Sequence, residues 1–293
     1  MISASVKSLL ITTCTQHVSC TINTEKLNDL TLREIIIKAL SSFNVSEPSE
    51  TFMTKNSSTP KITLYQFQLC PFCHKVRAAL ELKGVEYERI EVAPGNKKEL
   101  PELPPEAPRK VPVMQVDDEI IWDSTSILLA IDRLVPQGMP LNTDDEHGGQ
   151  EVRDFDDWVD HQLMPALPTV IYDTWKNSVR AARITARESN FGFWDAFKVR
   201  VGGSLIMKIV VKRILKREGR TDGHSWLQEC LDEAENQLGD KDFVMGGHPT
   251  IADAGLHGAF SCVEEFPIFE EIMQRPRLKT WFERIQQIRA DQA

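Results

Sequence analysis

Two cysteines separated by two residues, Cys70 and Cys73, have the type and spacing for thiol chemistry. They occur in LYQFQLCPFCHKVR, directly after a β-branched and aromatic run that predicts a strand. Behind them Val76, Ala79 and Leu80 have helical spacing. Cys70 therefore lies at a strand-to-helix junction, where free N–H groups and the positive end of the helix dipole favour a thiolate. In such C-x-x-C settings the cysteine pKa falls from ~8.5 to ~7 or lower.

The two thiols are predicted to have different roles. Cys70 is the better nucleophile because it is nearer the helix end. Cys73 lies one helical turn further on, where it can close a disulfide with Cys70 or resolve a mixed disulfide. Pro71 suits the first helical turn, since its missing N–H is not needed there. His74 and Lys75 would add positive charge near the thiolate if their side chains turned inward.

Zinc binding and plain packing are the alternatives for cysteines in this chain. A zinc site usually needs two more ligands from a second close pair. Cys230 and Cys262 are isolated on predicted helices, so we expect them in the core. Cys14, His17 and Cys20 have ligand-like spacing but lie in a segment of predicted low order. No metal site is therefore predicted.

Two further features could bind a ligand beside the thiol. In RKVPVMQV, Pro112 precedes a predicted strand, where a cis Val111–Pro112 bond would present the Val111 backbone to a peptide-like ligand. Asp123 and Ser124 open the next predicted helix. Capping alone would explain either residue. A helix N-terminus with a free hydroxyl also binds a carboxylate, and Asp123 can take an ammonium, so the two together could hold an α-amino-acid group.

The elements around these residues predict two domains after a leader. Residues 61–136 have the order β-α-β, then β-β-α, which predicts a small α/β domain with helices packed on a mixed sheet. Residues 137–150 form a connector, and residues 151–293 contain only segments with apolar residues at helical spacing. Residues 1–60, rich in Ser, Thr and Asn, predict a poorly ordered leader or linker, with a true start at Met53 as an alternative.

Composition limits the classes of partner. The formal net charge of -9 argues against nucleic acid, which needs a basic footprint. No apolar run approaches the ~18 residues of a membrane span, and six cysteines are too few for a disulfide scaffold in 293 residues. We therefore predict a reducing, cytoplasmic location, with an organelle or a peripheral membrane position as alternatives. The basic stretch Lys198–Arg220 could contact an anionic membrane surface, but a solvated cationic helix face is favoured.

The order of these motifs resembles the glutathione transferase superfamily: a thiolate, an X-cis-Pro loop, then an acidic-Ser helix start. Thr250-Ile251-Ala252-Asp253 in the tail is similar to the N-capping box that opens a buried helix in that superfamily. LYQFQLCPFCHKVRAAL and the tail from DFVMGGHPTIADAGLHGAF onward resemble the branch of the membrane-associated type 2 prostaglandin E synthases. The resemblance covers roughly residues 61–290.

The resemblance implies a thioredoxin-like domain followed by an all-helical domain, and a glutathione-dependent thiol transferase or isomerase. A non-catalytic glutathione- or haem-binding module is the alternative. The implied catalytic residues are Cys70, Cys73 and Tyr65. The implied glutathione-binding residues are Phe72, Val111, Pro112, Asp123 and Ser124. Haem is a second candidate ligand, and the predicted partners are a small hydrophobic or disulfide co-substrate and a second copy in a homodimer.

Overall fold

The computed structural model describes residues 60–93, 97–142, 148–188 and 204–292. These ranges fall within one compact unit, Thr59–Ala293. The leader predicted over residues 1–60 lies outside the described residues except at Pro60.

A four-stranded mixed sheet with two helices forms the first part of this unit. The elements in chain order are β1 (Ile62–Gln66), α1 (Pro71–Leu82), β2 (Glu88–Glu91), β3 (Val113–Val116), β4 (Glu119–Trp122) and α2 (Ser124–Leu134). The strand order is β2-β1-β3-β4, with β1 parallel to β2 and the other two pairs antiparallel. The predicted thioredoxin-like fold is confirmed.

The regular secondary structure in the described residues of the second part is helical, apart from one isolated bridge between Phe243 and Gly246. The helices are α3 (Gly148–Trp158), a π-helical turn (Val159–Leu163), α4 (Met164–Ile171), α5 (Trp175–Glu188), α6 (Ser204–Arg217), α7 (Gly223–Leu238), α8 (Ile251–Ser261), α9 (Pro267–Met273) and α10 (Pro276–Gln292). The predicted all-helical domain is confirmed. The predicted limits of the two domains and their connector stay predictions.

Side chains along a strand point alternately to the two faces of the sheet, and each face of this sheet packs on an apolar cluster. Leu64 and Met114 are fully buried in the main core, which includes the inner faces of α1 and α2. Val92 and Val113 belong to a second, smaller cluster, against which Tyr65 packs. Residues of β1 and β3 therefore pack on both sides of the sheet.

Helix α8 is central to the unit and packs closely on α1. Its start is the capping box predicted at Thr250 and Asp253. The buried Asp253 carboxylate accepts from the backbone N–H groups of Thr250 and Val244, each at 2.9 Å, and from the Trp281 indole, also at 2.9 Å. Satisfying donors that would otherwise be orphaned fixes where the helix begins.

Replacing Gly258 by alanine should destabilise the protein, because α8 contacts α1 through bare backbone. A Cβ at this position would lie 2.3 Å from the backbone N of Lys75 and 2.5 Å from its Cα. We expect the free energy of unfolding to fall by ~1–3 kcal/mol or more, measured by urea denaturation. Gly247→Ala is the control, since a Cβ there meets no heavy atom within 4 Å. Equal stability of the two variants would contradict this packing.

Within the described residues, the basic stretch contains helix α6 (Ser204–Arg217), whose outer side is cationic. Lys208, Lys212, Arg213 and Lys216 are exposed, and Val210 on the inner side is half-buried. This matches the favoured interpretation of a solvated face, and contact with a membrane surface stays a prediction. In the described ranges, no helix combines the length and apolar character that crossing a membrane would need.

Candidate active site

Cys70 occupies the N-cap position of α1, with Pro71 as the first helical residue. Its backbone is extended, with φ -98° and ψ 112°. The Cys70 N–H donates to the Phe67 carbonyl at 3.0 Å, and the Cys70 carbonyl accepts the Cys73 N–H at 3.0 Å. The side chain is half-exposed, between the buried Leu69 and Pro71. This is the strand-to-helix junction that the sequence predicts.

The pKa of Cys70 is lowered from its ordinary value, chiefly because the Cys73 thiol donates a hydrogen bond to its sulfur. The backbone N–H groups of Cys73 and Phe72 in the first turn of α1 act in the same direction. Burial and the negative charge of Glu91 oppose them. A thiolate at this position is therefore stabilised by donors that the helix start provides.

The pKa of Cys73 is shifted in the opposite direction to that of Cys70. Its side chain is fully buried, and burial, followed by its donated bond to Cys70, raises its pKa well above the ordinary value. The Phe67 N–H donates to the Cys73 sulfur at 3.5 Å. Both thiols are free in the structure. The pair thus contains one sulfur that tends to ionise and one that keeps its proton.

The strand register brings the other predicted site residues to the same end of the sheet. Tyr65 pairs with Val113, and Val113 pairs with Trp122. Because β1 is antiparallel to β3 and β3 to β4, the chain after β1, before β3 and after β4 meets at this end. Cys70, the Val111–Pro112 bond and Asp123 follow or precede those pairs, so they share one edge.

The Val111–Pro112 peptide bond is cis, as predicted. Asp123 has φ 75° and ψ 128°, in a region that is unfavourable for residues other than glycine. Its Oδ1 accepts from the backbone N–H groups of Thr125 at 3.0 Å and Ser126 at 3.2 Å. The predicted N-cap is confirmed. Ser124 is buried, and a role for either residue in holding a ligand stays a prediction.

Two family models match the chain: "Glutathione S-transferase, N-terminal domain" over residues 69–134 and "Glutathione S-transferase, C-terminal domain" over residues 224–288. The first segment starts beside Cys70 and ends with α2, and the second runs from the first turn of α7 into α10. Together with the fold, these matches support the glutathione S-transferase superfamily for this chain.

One curated protein and two solved structures are similar to this chain, and the two structures show the likeness of the fold alone. Prostaglandin E synthase 2 of Danio rerio is 24% identical over 272 residues, covering 77% of this chain and 70% of that protein. Among solved structures, the β-etherase LigF of Sphingobium sp. strain SYK-6 has a TM-score of 0.57 at 17% identity and covers 79% of this chain and 98% of that one. A glutathione S-transferase of Methylobacterium radiotolerans, solved with glutathione sulfonate, has a TM-score of 0.50 at 20% identity, covering 79% and 94%.

His74 and Lys75 follow Cys70 closely in the sequence, but neither places a positive charge beside its thiol. Burial lowers the pKa of His74 to about 3, so its ring is neutral at physiological pH. The His74 ring nitrogen Nε2 lies 2.8 Å from the Gln68 carbonyl, to which it donates. The fully buried Lys75 ammonium instead lies 2.8 Å from carboxylate oxygens of the helical domain. The conditional prediction that these cations assist the thiolate is wrong, because both side chains are engaged elsewhere.

Tyr65 and Phe72 are placed differently from each other. The Tyr65 hydroxyl donates to Gln115 Oε1 at 3.4 Å. Gln115 pairs with Thr63, two residues before Tyr65, so the Tyr65 side chain leans away from the strand end that leads to Cys70. Phe72 contributes its backbone N–H to the Cys70 sulfur, while its side chain packs on the main core. A catalytic role for Tyr65 and a glutathione-binding role for Phe72 stay predictions.

Sequence reasoning missed a buried ionic cluster that joins the two domains. Lys75 of α1 lies 2.8 Å from Asp156 of α3 and from Asp160 of the π-helical turn. Thr125 of α2 donates to Asp160 at 3.0 Å. The sequence contained one signal of this cluster: Lys75, Asp156 and Asp160 fall among apolar positions of predicted helices. The pairing itself spans 81 residues and has no local pattern.

Metal binding has no evident candidate among the residues that the structure covers. Within those ranges, no group of three or more His, Cys, Asp or Glu side chains is arranged to hold an ion. Cys230 and Cys262 are buried, as predicted for core residues, with their side chains in the main cluster. The leader residues Cys14, His17 and Cys20 lie outside the described ranges.

Proposed function

We propose that this protein is a glutathione-dependent enzyme in which the Cys70 thiolate is the nucleophile, acting in thiol transfer. The observation that carries the proposal is the asymmetry of the pair. Cys70 has a lowered pKa at a half-exposed helix start, whereas Cys73 is buried and keeps its proton. The likeness to the superfamily supports glutathione-dependent transferase or isomerase chemistry.

Glutathione would lie along the edge shared by Cys70, Val111 and Asp123. The helix start at Asp123 and Ser124 would hold the α-amino-acid end of the tripeptide. Oδ1 of Asp123 is used in capping, which leaves Oδ2 for the ligand's ammonium. The Val111 backbone would pair with the peptide part, and the glutathione sulfur would then lie near Cys70.

The proposed transfer has two balanced steps. The Cys70 thiolate attacks the glutathione-bearing sulfur of a mixed disulfide, forming a Cys70–glutathione disulfide and releasing the other partner as a thiolate. A second glutathione thiolate attacks the glutathione sulfur of that intermediate, giving oxidised glutathione and restoring Cys70. The Cys73 thiol donates a hydrogen bond to Cys70 whenever Cys70 carries charge, and so makes it a better leaving group in the second step.

Isomerisation of an electrophilic or peroxide-containing substrate is a second candidate. It is favoured by the 24% identity to prostaglandin E synthase 2 over 272 residues. The same thiolate would serve, with the co-substrate held by the helical domain. A glutathione-binding module without turnover is the remaining alternative. Haem gains no support from the matches, and a homodimer, membrane contact and a cytoplasmic location stay predictions.

One assay panel separates these functions. Calorimetry with glutathione tests binding first. Purified protein is then assayed with glutathione and a small disulfide, a chloro-nitroaromatic or a lipid endoperoxide. We expect binding and turnover of the disulfide. Turnover of the endoperoxide alone would favour isomerisation, and binding without any turnover would indicate a non-catalytic module. Failure to bind glutathione would contradict the proposed function.

A further inference from the structure

The charged cluster between the domains is buried and tightly paired. The Lys75 side chain has no exposed surface, and those of Asp156 and Asp160 are 3% and 11% exposed. Removing three charges from water is expensive, and a well-packed apolar cluster would stabilise a domain contact at least as well. Stability alone therefore does not explain why this contact is ionic.

Asp160 has a second partner that relates the cluster to the site. One of its oxygens accepts from the Lys75 ammonium at 2.8 Å, and the other accepts from the Thr125 hydroxyl at 3.0 Å. Thr125 immediately follows Ser124, and its own backbone N–H donates to Asp123 Oδ1. Lys75 lies five residues after Cys70 on α1. A single carboxylate thus contacts the helix that carries the thiol and the helix start at Asp123 and Ser124.

The position of Asp160 depends on a local departure from regular helix. It lies in the π-helical turn Val159–Leu163, between α3 and α4. A π-helical turn inserts an extra residue into the turn and rotates the side chains that follow, and such turns are frequent at functional sites. Asp157, three residues earlier, points outward with a side chain that is 74% exposed.

We propose that Asp160 and Thr125 are positioning residues for glutathione binding. Resting on the function proposed above, the inference is that the Thr125–Asp160–Lys75 chain fixes the helix start at Asp123 and Ser124 relative to the Cys70 helix. The amino-acid end of glutathione is then held at the right distance from the thiolate. Neither Asp160 nor Thr125 would touch glutathione. Both would act by holding the start of α2 in place relative to α1.

Calorimetry with glutathione on the full-length wild type and two Thr125 variants tests the role of the Thr125 hydroxyl. Thr125→Val keeps the shape and removes the donor to Asp160, and Thr125→Ser restores the donor. We expect Thr125→Val to raise the Kd for glutathione about 3- to 10-fold, the size typical of one hydrogen bond, and Thr125→Ser to return it to within about twofold of the wild type. In a disulfide assay, Thr125→Val should raise the KM for glutathione with little change in kcat.

Two Asp→Asn variants, one at Asp160 and one at Asp157, test the role of the Asp160 carboxylate. Asp160→Asn should raise the Kd for glutathione, whereas Asp157→Asn, on the same segment but exposed, should leave it unchanged. A lowered melting temperature with wild-type Kd in both Thr125→Val and Asp160→Asn would show a structural role only and overturn the inference, while the proposed function would stand. Lack of glutathione binding by the wild-type protein would overturn both.

Discussion

Replacing Cys70 by serine should reduce glutathione-dependent turnover at least about a thousandfold while leaving the protein folded. The thiolate is the attacking group, and a serine hydroxyl at the same helix start stays protonated at neutral pH. Cys70 is half-exposed and serine is close to cysteine in size, so the change removes little packing. Initial rates with glutathione and a small disulfide measure the loss, and circular dichroism checks the fold. Turnover that survives in Cys70→Ser would end the mechanism.

Substitutions at Cys73 should raise the pKa of the Cys70 thiol by different amounts. Alkylation by iodoacetamide as a function of pH, with the modified peptide located by mass spectrometry, reports the pKa of Cys70. We expect a midpoint below the ~8.5 of an ordinary cysteine. Cys73→Ala removes the thiol that donates to Cys70, so the midpoint should rise; Cys73→Ser keeps an O–H donor, and the rise should be smaller. An unchanged midpoint in Cys73→Ala would show that this hydrogen bond does not stabilise the thiolate.

Much of the fold and the site edge was predictable because the signals were local. The strand before Cys70, the helix behind it, the cis bond at Pro112 and the N-cap at Asp123 each depend on a few neighbouring residues. The capping box at Thr250 and Asp253 is equally local. Antiparallel pairing of consecutive strands then leaves little choice about which strand ends meet.

The buried electrostatics could not be predicted, because they depend on partners distant in sequence. His74 and Lys75 follow Cys70 directly and look like cations for the thiolate. Burial makes His74 neutral, with a pKa of about 3, and Lys75 pairs with carboxylates 81 and 85 residues away. The placement of Asp160 further depends on a π-helical turn that no hydrophobic period indicates. Charge near a thiol in the sequence is therefore weak evidence of charge at the thiol.

Replacing Lys75 by methionine should be the most destabilising of the changes considered. Methionine fills a similar volume but leaves Asp156 and Asp160 buried together without their cation. Breaking a buried ion pair on one side typically costs ~3–5 kcal/mol, and we expect a loss of that size in the free energy of unfolding at pH 8, measured by urea denaturation. A loss below ~1 kcal/mol would mean that water already screens the cluster.

The loss in Lys75→Met should also depend on pH, with a sign that can be derived. Burial, together with the negative charge of Asp160, raises the pKa of Asp156 to about 6 in spite of the opposing charge of Lys75. Without Lys75 the folded-state pKa must rise again, while the unfolded value stays near ~3.9. A carboxyl whose pKa is higher when folded favours folding in acid and loses that contribution as pH rises. The deficit should therefore be larger at pH 8 than at pH 5, and Asp156→Asn in the same background should recover part of it, because the neutral amide needs no cation.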